Sequence, residues 1–304
     1  MSNKHSLLEA TDAWITRPRF KATRPLSLYP SEASVITTDK DGNEKVEGGC
    51  LRASYYRATG TAPGSSPDAR GERIMSVGSN IEQWFIARWK EMGLWVDNNI
   101  KFYWPEYRIS GELDAVLLDP ETGNPYGIEC KTFYGYDAAK EIFGSKWKAG
   151  FPKMTHLLQT LIYTFYFKDR LKYFKMVYMD RSDTKQTEFN IEVREHEGKW
   201  WPFVNDKRVT TFSVDDILAR YSLLNHYIND GIIPPRDYEL VWDTDRVERE
   251  KANGNVSKTA YAEWEKGKRK LGDWNCRYCR YKETCWKDEG VELMPSELDT
   301  TPGE

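Results

Sequence analysis

The chain has 304 residues, 39% of them hydrophobic and 30% charged, with a net charge of −3 and a pI near 6.0. That suits one large domain, or one domain with a small appendage, and it argues against a uniformly basic nucleic-acid binder while leaving room for a local basic groove. No apolar run reaches the length of a membrane span and the opening MSNKHSLLEATDAW lacks a signal-peptide core, so a cytoplasmic protein is expected, its five cysteines serving as thiols or metal ligands rather than disulfides.

Residues 1–47 hold several prolines and no sustained period, and are expected to be an irregular arm with a hairpin turn at 39–43. A helix is expected from about Cys50, then a loop over 61–73. A second helix is expected over 79–92, capped by Ser79 or Asn80, with Ile81, Phe85, Trp89 and Met92 on its apolar stripe. Strands are expected at 99–104 and 107–118. The turn-rich 119–125 joins the latter to a third strand over 126–132, making a hairpin. Residues 133–152 read as an aromatic loop with Lys140, Lys146 and Lys148. An apolar helix follows over 153–168, then strands over 171–179, 188–193 and 200–204. Ser213 is placed to cap a helix reaching about 229, and a further helix is expected at 257–270. The fold class is therefore α/β, a central mixed sheet flanked by helices. The expected divisions are the arm, a core over 48–240, a C-terminal helical segment over 241–289 and a flexible tail over 290–304.

Three groups carry candidate chemistry. In GELDAVLLDPETGNPYGIECK, strand alternation puts Glu129 and Lys131 on one face and Cys130 on the other, where it packs as a small hydrophobe. Antiparallel pairing brings Asp114 beside Glu129 and Lys131. Paired carboxylates suit Mg²⁺ or Mn²⁺, and the lysine suits a developing phosphate charge. The bare spacing also fits a surface hairpin with solvated charges. On the following helix, Gln159 and Tyr163 stand at i, i+4 on one face, which His156 shares. In CRYCRYKETCW, the spacing Cys276-x2-Cys279-x5-Cys285 offers three thiolates needing a fourth, for which Cys50 is the candidate; zinc and an iron–sulfur cluster both suit such a set. Basic and aromatic residues at Arg52, Tyr55, Tyr56 and Arg57, and at Lys140, Lys146, Trp147 and Lys148, could line a DNA channel.

Taken together, Gly111, Asp114, Glu129 and Lys131 followed by Gln159-x3-Tyr163 resemble the RecB-like branch of the PD-(D/E)xK nucleases, whose motifs read G-x-x-D, E-x-K and Q-x-x-x-Y. One upstream cysteine with a C-terminal C-x2-C-x5-C is similar to the iron–sulfur staple of a subset that includes AddB-type and CRISPR-associated spacer-trimming exonucleases. The resemblance spans about residues 50–286. It implies the nuclease core, a [4Fe-4S] cluster held by Cys50, Cys276, Cys279 and Cys285 and joining the N- and C-terminal parts (structural Zn²⁺ being the alternative), and a metal-dependent DNA exonuclease of phage or bacterial type. Asp114, Glu129 and Lys131 would be its reacting groups, and Gln159 and Tyr163 would position the strand. A histidine ligand is expected on the helix near 82; Glu82 stands there instead and could serve as a further carboxylate ligand. The expected partners are single-stranded DNA or DNA ends and a recombination or CRISPR-adaptation protein, with oligomers allowed. A non-catalytic DNA-binding or assembly factor, and an endonuclease of a restriction or repair system, stay open as alternatives.

Overall fold

The computed structural model describes residues 6–17, 26–39, 42–64 and 68–287. In chain order its elements are α1 (Leu7–Thr16), β1 (Ser34–Thr38), β2 (Glu44–Gly48), α2 (Leu51–Ala58), α3 (Ala69–Glu91), β3 (Trp95–Trp104), β4 (Ile109–Leu118), β5 (Pro125–Phe133), α4 (Tyr136–Phe143), the two-residue strands β6 (Gly144–Ser145) and β7 (Lys148–Ala149), α5 (Met154–Tyr166), β8 (Phe174–Asp180), β9 (Gln186–His196), β10 (Lys199–Val204), β11 (Lys207–Arg208), α6 (Val214–Asp230), α7 (Thr244–Ala252), α8 (Lys258–Glu265), α9 (Trp274–Arg277) and α10 (Lys282–Lys287). The fold is α/β, and its centre is a mixed seven-stranded sheet ordered β11-β10-β9-β8-β5-β4-β3. Within it only β5 and β8 pair in parallel. A parallel pair needs a long crossover, and α5 lies in that connection.

The chain forms two compact units, one of Met1–Gly48 with Pro67–His226, the other of Gly49–Ser66 with Tyr227–Glu304. The first contains the sheet. On one face Phe85 of α3 packs with Ala115, Leu117, Tyr126, Ile128, Val177 and Met179, and Ile81, Trp89 and Cys130 pack against that cluster. The other face receives α5. This helix touches β5, β8 and β9, and also the β1–β2 hairpin through β2. Contact on two sides explains why Leu157, Leu158, Leu161 and Ile162 are all fully buried and why the helix is apolar around most of its girth. Burying each such side chain is worth about 1.5–3 kcal/mol. In the second unit Val247, Val256, Ala260 and Leu271 form a small core covered by Trp242, Tyr261 and Trp264.

Several elements differ from the sequence expectation. Helix α3 starts at Ala69, ten residues before Ser79, because Asp68 caps it by accepting from the Gly71 N–H at 2.7 Å. Ser79 and Asn80 are interior. The first half of α3 leaves Ile74, Met75 and Val77 exposed and carries two glycines, so no buried stripe announced it. Residues 133–152 are not a plain loop: α4 buries Ile142, Phe143 meets Phe133 edge to face at 5.5 Å, and β6 pairs with β7. The segment 241–270 holds two short helices, α7 and α8, the second capped by Ser257. Within 1–47 the structure has α1 and the β1–β2 hairpin, and Lys40 and Asp41 of the expected turn lie outside the described residues. The tail from 290 lies outside them too. No helix among the described residues is long and apolar enough to cross a membrane.

Gly111 has a packing role. A Cβ there would meet the Phe102 ring at 2.4 Å and Pro30 at 2.9 Å. Phe102 in turn packs edge to face on Tyr163, 5.7 Å between centroids. Gly111→Ala is expected to lower stability by about 1–3 kcal/mol through overpacking, read as a drop in the denaturant midpoint at unchanged slope.

Candidate active site and cysteine centre

The β4–β5 ladder runs from Leu118↔Pro125 to Ala115↔Ile128 and ends there. Beyond it β4 continues against β3, and β5 against β8. The two central strands part at Asp114 and Glu129, which the register would otherwise set opposite each other. The Cys130 backbone N–H thus has no ladder acceptor on β4, and Asp114 Oδ2 accepts from it at 2.7 Å. Cys130 itself turns to the α3 cluster, as strand alternation required.

Glu129 is 1% exposed. Its Oε1 accepts from Lys131 Nζ at 2.6 Å and from Gln159 Nε2 at 2.9 Å. Lys131 Nζ also donates to Gln159 Oε1 at 3.0 Å, and Gln159 Nε2 donates to the Tyr163 hydroxyl at 3.2 Å. One amide therefore accepts from the ammonium with its oxygen and donates to the carboxylate and the phenol with its nitrogen. Neither a carboxylate nor an ammonium can do both. The register brings Asp114, Glu129 and Lys131 together, and α5 adds Gln159 and Tyr163. Glu82, on α3, is half-buried and makes no hydrogen bond or ion pair among the described residues; its charge is felt at Asp114.

Electrostatics mark the three acids. Burial, then Glu129, raises the Asp114 carboxyl well above the usual range, with Lys131 opposing. Burial raises Glu129, with Lys131 opposing. Burial, then Glu129 and Glu112, raises Glu82. For Lys131, burial disfavours the charge, yet Glu129 and Asp114 outweigh it and the pKa rises. His156 has no part in the network: its Nδ1 lies 3.0 Å from the Tyr178 hydroxyl, and burial with the nearby Lys131 and Lys153 charges holds it down to about 3, a neutral ring.

Among the described residues no group of three or more His, Cys, Asp or Glu side chains is arranged to hold a metal ion as it stands. The donor chemistry nonetheless fits a hard divalent cation. Glu129 Oε2 is buried with no hydrogen-bond partner, and the neighbouring acids disfavour one another's charge, a penalty a bound cation relieves.

The cysteines of interest all fall in the second unit. Cys50 precedes α2, whose Leu51 N–H donates to Asp237 at 2.7 Å and whose Arg52 donates to the Pro234 carbonyl at 2.6 Å and to Cys285 Sγ at 3.7 Å. Burial raises the Cys276 thiol, with the charges of Cys50, Asp273, Cys279 and Cys285 adding to it. Burial pushes Cys285 up to about 11, with Arg52 pulling the other way. The Tyr281 N–H donates to Cys279 Sγ at 3.4 Å. Thiols with N–H donors on Cys279 and Cys285 have the chemistry of thiolate ligands, although as they stand they too form no such group among the described residues.

Arg52, Tyr55 and Tyr56 do not line a channel: all three are buried in packing. Lys140, Lys146, Trp147 and Lys148 are exposed. Tyr134 and Tyr136, exposed just after the E-x-K strand, were not singled out from the sequence; aromatics flanking a glycine at a strand end were the available signal. No family model matches the chain, and none of the curated proteins searched matches it.

The raised Asp114 pKa sets a sign. The folded state binds this proton more tightly than the unfolded chain, so ionisation costs stability as pH rises above about 4, the ordinary carboxylate value. Asp114→Asn keeps the acceptor for Cys130 and removes that cost. With chelator present it is expected to raise the melting temperature at pH 7, and the gain over wild type should vanish below about pH 4.

Proposed function

We propose that the first unit is the core of a RecB-like PD-(D/E)xK deoxyribonuclease, an exonuclease acting on DNA ends or single strands in phage or bacterial recombination, repair or CRISPR-type processing. The observation that carries this reading is the network of buried Glu129 and Tyr163 with half-buried Lys131 and Gln159, set beside Asp114 where β4 parts from β5. A surface hairpin with solvated charges would leave these groups in water; here a carboxylate is taken out of water and one of its oxygens is left without a partner.

Asp114 and Glu129, with Glu82 as third carboxylate, would hold Mg²⁺ or Mn²⁺, which when bound neutralises charge on a scissile phosphate and acidifies a water. The protein's own contribution is positional. Gln159 pins Lys131, so the ammonium meets a developing phosphate charge without first giving up a shell of water. Tyr163 keeps the phenol protonated, since burial raises its pKa far above neutrality, and holds the Gln159 amide in one orientation. Cys50, Cys276, Cys279 and Cys285 would hold a [4Fe-4S] cluster, which ties α2 to the C-terminal segment of the second unit.

End-labelled linear DNA with Mn²⁺ tests the first part. Wild type is expected to release short products that EDTA suppresses. Asp114→Asn and Lys131→Ala should each lose about 10²–10³-fold or more in rate, and Gln159→Ala about 10–100-fold, all three remaining folded. Cleavage by both Asp114→Asn and Lys131→Ala at the wild-type rate would overturn the assignment.

For the cysteines, anaerobically purified protein is expected to be brown and to carry about four irons per chain. Cys276→Ser should lose the colour and melt at lower temperature. A colourless protein with one zinc per chain would replace the cluster with a structural zinc.

A further inference from the structure

Residues 134–153 link the two halves of the candidate site, leaving β5 just after Lys131 and entering α5 just before Gln159. Their scaffold is ordered by close backbone packing. Gly144 has φ +78°, and a Cβ on it would meet the Gly150 nitrogen at 2.4 Å; one on Gly150 would meet the Ile142 carbonyl oxygen at 2.0 Å. Phe151 N–H donates to the Glu141 carbonyl at 2.9 Å, and Ile142 is buried beneath.

This fixed excursion nevertheless displays large rings to water. Trp147 is 88% exposed, Tyr136 80% and Tyr134 68%. Lys146 Nζ lies over the Trp147 ring at 5.1 Å, and Lys140 and Lys148 are exposed on the same excursion, against the acids Asp137 and Glu141. Exposed rings with no packing role, in ordered backbone and among cations, suit a ligand with flat faces and a negative backbone. A duplex buries its base faces in its own stack. An unpaired strand offers them.

We propose that Trp147, Tyr136 and Tyr134 form a stacking surface for an unpaired nucleic-acid strand, with Lys140, Lys146 and Lys148 meeting its phosphates, and that this surface selects single strands over duplex at the site. The proposal rests on the nuclease reading for its position, but its test does not need cleavage.

The test is fluorescence anisotropy of a labelled oligothymidine and of a blunt duplex, both with EDTA so that no cleavage occurs, on the full chain. Trp147→Ala should weaken oligothymidine binding by about 10-fold, the loss of one stacked base. Trp147→Phe should recover most of it, and duplex binding should change by less than 2-fold. The exposure of Trp147 makes both variants compatible with the fold, which a melting curve checks. Unchanged oligothymidine binding in Trp147→Ala, equal losses for duplex and single strand, or no oligothymidine binding by wild type would each overturn the proposal. A wild type that binds through Trp147 but cuts nothing with Mn²⁺ would leave the stacking surface standing and remove the nuclease reading. Cleavage of linear DNA with Trp147-independent binding would do the reverse.

Discussion

The site depends on two neighbouring strands ceasing to pair. A β-ladder satisfies its backbone groups continuously, and a break inside a sheet leaves donors that cost stability if nothing meets them. Here β4 and β5 separate just past Ala115 and Ile128, and the Asp114 carboxylate replaces the missing ladder acceptor for Cys130. The same residue that mends the break is thereby held with one oxygen committed to backbone. Since each strand keeps its outer neighbour, β3 and β8, the sheet survives the parting.

Burying Glu129 beside a half-buried Lys131 is a second cost, and their direct ion pair offsets it only partly. The remaining compensation comes from Gln159, which makes a three-way link possible because its amide carries a donor and an acceptor at fixed separation. The helix that presents it is held from both sides by apolar packing, so the amide's position is set by Leu157, Leu158, Leu161 and Ile162 rather than by the polar contacts themselves. Rigid placement by a packed core is what allows an under-satisfied carboxylate oxygen to persist.

Much of this was legible in the chain. Period-two alternation separated Cys130 from Glu129 and Lys131, the turn cluster at 119–125 set the hairpin, and helical spacing put Gln159 and Tyr163 on one face. What was hidden has physical reasons. The first half of α3 is exposed, so no apolar stripe marked it, and its cap at Asp68 lies in a Gly- and Pro-rich stretch that reads as loop. Helix α4 is short and anchored by one buried residue, Ile142. Arg52, Tyr55 and Tyr56 looked like a basic-aromatic face, but a buried arginine satisfied by a carbonyl and a thiol has the same letters as a solvated one. The parting of β4 from β5 has no local signature, because pairing is a relation between strands and not a property of either.

The second unit is discontinuous, and this has a consequence for how the protein is made. Cys50 and Arg52 find their partners at Pro234, Asp237 and Cys285, and position 276 comes 226 residues after position 50. At about 5–20 residues per second of synthesis, the Cys50 thiol and its helix wait roughly 10–45 s before the companion cysteines exist. The intervening residues build the seven-stranded sheet, so the first unit has all its strands before the second can close. A metal held by all four thiols, as proposed above, can thus load only after Cys285 has been made, and a chain that stops at His226 carries the whole sheet with Cys50 left without those three cysteines.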